Sequence, residues 1–402
     1  MTPSPSVDRE RLLRLLAGAT FLIFFQAFMV APLLPRLADL FGVSIEAIGL
    51  IVPAYLIPYG APPLVYGPLS DRLGRDRVIL ASLLAFIILT AATATAWSPT
   101  SLLVFRLLTG LGASGVVPIA LALLGDLFPF QERGRPLGWL FGAMAGGMAF
   151  GSTAGVMLEP VVGWRGLFLG VALLGLVVLV RLPPSRALLR GAPPRPRAPL
   201  RAVINGYVGL LGSWRGRRTY GYVLLNAVFH SGVFTWLGLY FIRRYGLSEI
   251  EVGLALLGYG VPGLFFGPIV GRAADRWGRT WLIPIGLTIA GVSAMGLALD
   301  LPILAAAGLV TTLSLGYDLT QPLLAGIATD LGPNRGQAMG LNVFALFTGF
   351  GLGSLLFSRV LRLGLNEALL IFGVVALAAA VAGMPLFRGE RGHAAATKVF
   401  HD

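Results

Sequence analysis

The 402-residue sequence has no cysteine, a single lysine (Lys398), and only 12% charged residues. Without cysteine there is no disulfide framework and no thiol chemistry. The charge is about half that of an ordinary soluble domain, so the polar faces that water-soluble amphipathic helices need are missing. Catalytic signatures are missing too. There is no Walker loop, no H-E-x-x-H, no G-x-S-x-G and no cluster of metal ligands. These absences argue against ATP-driven transport and intramembrane hydrolysis. The chain reads as a non-enzyme with no cofactor and no metal, and it carries no soluble signalling domain.

What is present is apolar. Hydrophobic residues make up 56% of the chain, in runs of about 20 separated by short charged or Gly/Pro loops, the signature of membrane-spanning helices. The first run is too long for a signal-peptide core and lacks a small-residue cleavage site, so it is expected to stay as a helix. Six spans are predicted at residues 14–37, 46–69, 78–96, 100–126, 135–158 and 165–182, and six more at 219–242, 250–273, 280–299, 302–329, 336–361 and 366–387. The expected fold class is therefore all-α with twelve transmembrane helices. Its parts are an N-terminal six-helix bundle (1–182), a linker rich in Pro and Arg (183–218), a C-terminal bundle (219–387) and a polar tail (388–402). Within the linker, Leu200 to Trp214 reads equally as a helix lying in the membrane surface or as a solvated connector.

The net charge of +13 invites a nucleic-acid reading, but its placement opposes one. Of 31 Lys and Arg, six (Arg36, Arg165, Arg243, Arg244, Arg359, Arg362) fall in outer loops and Arg106 falls inside a span. The other 24 lie in the tails, the linker and the loops of one side. This asymmetry predicts both termini in the cytoplasm, with the basic side facing anionic lipid headgroups. The expected location is a bacterial cytoplasmic (inner) membrane. The expected partners are a small-molecule substrate, protons and membrane lipid, with no nucleic acid, and the protein is expected to be a monomer.

Gly67 to Arg77, G-P-L-S-D-R-L-G-R-D-R, is an island of charge between two apolar runs. Gly67, Asp71, Arg72, Gly74 and Arg75 recur at Gly271, Asp275, Arg276, Gly278 and Arg279, each 204 positions later. Asp126 and Asp330 keep the same shift. A repeat of this length is typical of a duplicated membrane half, and an even number of spans per copy makes the halves parallel repeats. Asp71 and Asp275 at helix ends can face the positive end of a neighbouring helix. Arg75 can pair with Asp126, and Arg279 with Asp330. Contacts of this kind bias one state of a two-state motion, as a gate requires.

An ionisable residue at membrane depth is costly and is a functional candidate by default. Arg106, His230 and Asp318 qualify as proton-coupling candidates. His230 lies about 12 residues into its helix and Asp318 lies 12 residues before Asp330, so at ~1.5 Å per residue both sit near the bilayer middle. Gln26 is the counterpart of His230 in the first half. Further cavity candidates are Tyr55, Tyr59, Asn226, Trp236, Tyr259, Tyr317, Gln321 and Asn342, with Met144 and Met148 as adaptable apolar surface.

These motifs resemble the major facilitator superfamily. Gly67 to Arg77 matches its loop signature G-x-L-S-D-R-x-G-R-x-R, and Arg106 with Gly110 resembles its helix 4 motif. In helix 5, Gly138, Gly147, Gly151 and Gly155 keep the spacing of the drug/proton antiporter branch, while Ser152 and Val156 depart from it. The resemblance implies alternating access, a gating role for Asp71 and Arg75, and a cavity lined by helices 1, 4, 7 and 10, where His230 and Asp318 could meet. It implies that the leading function is proton-coupled export of small lipophilic or amphipathic compounds. The alternative is an uptake symporter or facilitator for a sugar or organic acid, or a lipid flippase. Gln26 stands where many such exporters carry an acid.

Overall fold

Prolines and glycines set where the membrane helices break. The computed structural model of the chain describes residues 5–127, 134–189, 200–260, 262, 279–328, 330–332 and 335–390. These fall into two compact units, Met1–Gly209 and Leu210–Asp402.

In the first unit, α1 (Pro5–Phe28) passes through a 3-10 turn at Ala31–Leu33 into α2 (Leu34–Phe41). The turn sits where Pro32 withdraws a backbone donor, yet Asp8–Phe41 remains one apolar span. α1 starts about nine residues earlier than the apolar pattern predicts, with Asp8 in its first turn, where a negative charge favours a helix start. Gly42, in the left-handed region (φ 63°), ends α2. The expected second helix is three pieces, α3 (Ile45–Gly49), α4 (Pro53–Gly60) and α5 (Pro63–Leu73). Each break falls at a proline that cannot donate into the helix ladder. Gly74 (φ 96°) then turns the chain into α6 (Arg75–Thr93). α7 (Pro99–Ala113) opens on a reciprocal Ser98–Ser101 capping box with proline at its first position, and α8 (Val116–Leu127) continues it. α9 (Gly134–Arg181) is two expected spans joined at a non-helical Gly163 (φ 69°, ψ 161°). α10 (Arg186–Leu189) and α11 (Leu200–Gly212) follow. In the linker, residues 200–212 thus form a helix.

In the second unit, α12 (Trp214–Tyr245) starts at an N-cap serine, Ser213, and stops at Gly246. α13 (Glu249–Leu256) runs into a 3-10 turn at Leu257–Gly260. Most of the remainder of the expected eighth helix lies outside the described residues. α14 (Arg279–Leu297), α15 (Ile303–Ala328), α16 (Arg335–Val360) and α17 (Leu365–Leu386) complete the chain. Among the described residues ten helices are long and apolar enough to cross a membrane. One of these, Gly142–Arg181, carries two spans, and the apolar helix Ile250–Tyr259 begins a further one. No strand occurs among the described residues.

The internal packing of one unit is repeated in the other. α1 lies along the first half of α9, as α12 lies along α16. α6 packs on α7 and on the second half of α9, as α14 packs on α15 and α17. The long seams are built on small residues, which let backbones approach closely. A Cβ at Gly151 would stand 2.5 Å from the Phe25 carbonyl oxygen, and one at Gly349 would stand 2.6 Å from that of Leu224. Each core is apolar side chains between helices, while Val161, Leu173, Val180, Leu304 and Val381 are exposed on the outside, where lipid is the solvent.

Candidate substrate-binding site

In the first unit the site starts with a glycine. A Cβ at Gly110 would overlap the Tyr55 carbonyl, so α4 and α7 touch there. One turn earlier on α7, Arg106 is fully buried with its guanidinium 4.3 Å above the Tyr55 ring. Arg106 Nη1 donates to Gln26 Oε1 (2.9 Å) and to the Gln26 carbonyl (3.3 Å). Nη2 donates to the Ala27 carbonyl and Nε to the Ile51 carbonyl, both at 3.3 Å. Among the described residues no carboxylate pairs with it. Burying an unneutralised cation carries a penalty of several kcal/mol, here offset by carbonyl dipoles rather than by a counter-charge. Two buried polar atoms beside it, Gln26 Nε2 and Tyr55 Oη, have no hydrogen-bond partner among the described residues. Tyr59 stacks on Tyr55, ring centroids 5.9 Å apart, and Phe24 meets Tyr59 edge-on at 6.3 Å. Met144 and Met148 lie half-buried on α9, flanking the glycine seam with α1.

In the second unit the matching corner is aromatic. Tyr259 Oη lies 2.8 Å and 2.6 Å from the two ring nitrogens of His230. Tyr317 stacks on the same imidazole, centroids 3.7 Å apart, and Phe350 of α16 lies 5.6 Å away. Asp318 accepts a hydrogen bond from Ser314 Oγ (3.3 Å) and lies near Tyr259 and Tyr317. The sequence leads one to expect His230 and Asp318 to meet, but no hydrogen bond or ion pair joins them. Successive helical residues point about 100° apart, so α15 turns Tyr317 toward the imidazole and Asp318 away. One turn along both helices, Asn226 Nδ2 donates to Gln321 Oε1 (3.4 Å). Trp236 is packed into α16, donating to the Ser354 carbonyl (3.3 Å) and stacking on Phe357. Asn342 is buried on α16.

Of the expected gate, Gly67, Asp71 and Arg72 are on α5 and Asp126 is on α8, but their side chains lie outside the described set. Gly74 makes the turn and Arg75 opens α6. In the second copy Gly271, Asp275, Arg276 and Gly278 lie outside the described residues, as does the side chain of Arg279. Asp330 is exposed just beyond α15. Sequence reasoning passed over Asp76, which is buried in the first turn of α6. It also passed over Phe234, Phe350 and Glu390. A four-residue spacing from His230 points to Phe234, whereas Phe350 has no such signal.

Glu390 closes a second ionic cluster. Arg215 binds it in a fork (2.7 and 2.8 Å), and Arg218 donates to it and to the Leu386 carbonyl. Burial alone would push the Glu390 carboxyl up, but the hydrogen bonds and charges of Arg215 and Arg218 together hold it below the usual carboxylate range.

The profile of the Major Facilitator Superfamily matches residues 16–263 and 241–401. The chain belongs to that superfamily. It is an integral membrane secondary transporter, and not an enzyme. The chain is 28% identical to the 4-hydroxybenzoate transporter PcaK of Pseudomonas aeruginosa over 397 residues, covering 90% of this chain and 88% of the relative. It is 27% identical to a gallate transporter of Pseudomonas putida over 403 residues, covering 90% and 88%. Its fold is similar to the crystal structure of a bacterial homologue of the human lysosomal transporter Spinster (TM-score 0.74, 17% identity, 97% of this chain and 99% of that one). The superfamily profile covers both copies of the repeat.

Proposed function

We propose that this major facilitator carries small aromatic carboxylates inward together with protons, by alternating access. One observation carries the reading. Arg106 is a buried cation without a carboxylate partner among the described residues, flanked by the two unpartnered groups Gln26 Nε2 and Tyr55 Oη. A carboxylate offers the acceptors these donors lack, and the stacked Tyr55–Tyr59 pair suits a flat ring beside it. The 4-hydroxybenzoate and gallate transporters named above support the same class of substrate. Moving an anion into an inside-negative cell is opposed by ~2.3 kcal/mol per 100 mV, and one co-transported proton cancels that term. Asp318 and His230 are the groups proposed to carry it, with Asp71, Arg75, Asp275 and Arg279 biasing the closed state of the gate.

The chain is proposed to act as a monomer in a bacterial cytoplasmic membrane, with both termini inside. The bundles are proposed as 1–182 and 219–387. The test is accumulation of radiolabelled benzoate in proteoliposomes with an inside-alkaline gradient. Gradient-dependent accumulation in wild type and its loss in Arg106→Gln are expected. Accumulation insensitive to the gradient, or unchanged in the variant, would reject the proposal. Export of lipophilic compounds is a second reading, favoured by Gly147, Gly151 and Gly155, which keep the antiporter-branch spacing and pack on α1. It predicts gradient-driven movement of neutral lipophilic probes and none of benzoate.

A further inference from the structure

Two helices of the second unit run antiparallel past each other as a ladder. Stepping one turn along α12 leads from His230 to Asn226, and one turn the opposite way along α15 leads from Tyr317 to Gln321. The first rung is a ring stack, with centroids 3.7 Å apart. The second is a pair of amides joined by one long hydrogen bond of 3.4 Å, from Asn226 Nδ2 to Gln321 Oε1. That bond uses half of what the pair offers. Asn226 Oδ1, an acceptor, and Gln321 Nε2, a donor, have no partner among the described residues. Asn226 is 1% exposed and Gln321 8% exposed. Exchanging the oxygen and nitrogen of both amides would leave the same count of one unmet donor side and one unmet acceptor side. Buried polar atoms without partners are rare in folded chains and each needs a reason. Here the two unmet atoms are complementary to one chemical group, a hydroxyl, which donates to Asn226 Oδ1 and accepts from Gln321 Nε2.

We infer that Asn226 and Gln321 form a hydroxyl-recognising subsite for a ring-bearing ligand, placed one helical turn from the aromatic wall of His230, Tyr317 and Phe350. This rests on the proposed carriage of aromatic carboxylates and sharpens it to hydroxylated rings. A site built to hydrogen-bond a hydroxyl discriminates against analogues lacking it, because its polar atoms are then left unmet. The same logic makes a stability statement. Replacing both amides by leucine removes both unmet atoms, so the double variant keeps its fold and melts at or above the wild-type temperature.

The test is equilibrium binding to the purified full-length protein, wild type and Asn226→Leu/Gln321→Leu, with two pairs of probes. Benzoate is compared with its mono-hydroxylated isomers, and 4-methylphenol is compared with its methyl ether. In wild type at least one hydroxylated isomer binds about ten-fold more tightly than benzoate, the gain expected of one or two net hydrogen bonds. In the double variant that preference falls to within about two-fold. An undiminished hydroxyl preference in the folded double variant overturns the subsite and leaves carboxylate binding standing. Loss of the 4-methylphenol preference in the variant, with no carboxylate binding to either protein, supports the subsite and rejects the carboxylate reading. Absence of any hydroxyl preference in wild type, in both probe pairs, also overturns the subsite.

Discussion

The two units build the same corner and fill it differently. Gln26, Tyr55 and Arg106 in the first stand 204 positions before His230, Tyr259 and Val310 in the second. Asp318 in turn corresponds to Ser114. The first corner holds a buried cation bonded to carbonyls and an amide. The second holds a ring stack with a carboxylate turned aside. The seams that surround them are alike, glycine against backbone carbonyl in both. Duplication therefore kept the packing, where any added atom collides, and let the chemistry diverge where side chains meet open hydrogen-bonding capacity. On this reading the first unit binds the anion and the second couples the proton.

The sharpest way to separate the two corners is to neutralise each. Arg106→Gln is expected to lower benzoate uptake at least ~100-fold, because a charge-assisted contact and the fork geometry go together. Asp318→Asn is expected to abolish gradient-driven accumulation while sparing benzoate exchange across the membrane. If both variants lose exchange equally, the division of labour between the units fails.

The likeness of the seams predicts equal damage. Gly151→Ala and Gly353→Ala each force a Cβ into a facing carbonyl, at about 1–3 kcal/mol of overpacking. Thermal melts in detergent check this, and a tolerant variant on one side would mean that side's seam is looser.

The ionic clusters near the first helix of each unit are unlike. Glu390 is buried against Arg215 and Arg218, whereas Glu10 meets Arg14 at 3.7 Å with the arginine well exposed. Glu390→Gln should cost about 1–3 kcal/mol, and Arg14→Gln, at the exposed end of the other pair, close to nothing. Because the folded-state carboxyl of Glu390 is held below its ordinary value near 4.5, its contribution is fully present above that pH. It is lost as pH falls through the depressed value. Melting curves across pH 3–7 (roughly, the carboxylate range) should therefore lose this term only at the acid end, and only while Glu390 is present.

The smallest contrast concerns two tyrosines. Tyr259 Oη bonds His230, while Tyr55 Oη has no partner among the described residues. Tyr259→Phe should lower stability by about 1 kcal/mol and Tyr55→Phe should not. Equal shifts would erase the distinction.

How much of this could be read beforehand follows from what each feature depends on. The spans and the repeat are one-dimensional, and apolar runs and the 204-residue echo made them legible. The two copies of the charged loop could be aligned from spacing alone, whereas a gating role depends on side chains that lie largely outside the described residues. The pairing of Gln26 with His230 as counterparts was legible for the same reason. The partner of His230 was not. Depth along a helix set Asp318 level with His230, but rotation about the axis decides contact, and it is the adjacent Tyr317 that stacks on the imidazole. The break of the second span into three was understated, because prolines in membrane helices are often tolerated. The unmet atoms of Gln26, Tyr55, Asn226 and Gln321 were invisible, since a missing partner exists only in three dimensions.

The most direct test of the central claim is the affinity of the purified protein for benzoate set against benzamide, its neutral counterpart of nearly the same shape. A first-unit corner built to receive an anion predicts that wild type prefers benzoate by at least ~30-fold, within the range of a charge-assisted pair, and that Arg106→Gln removes the preference. Equal binding of benzoate and benzamide by wild type would contradict it.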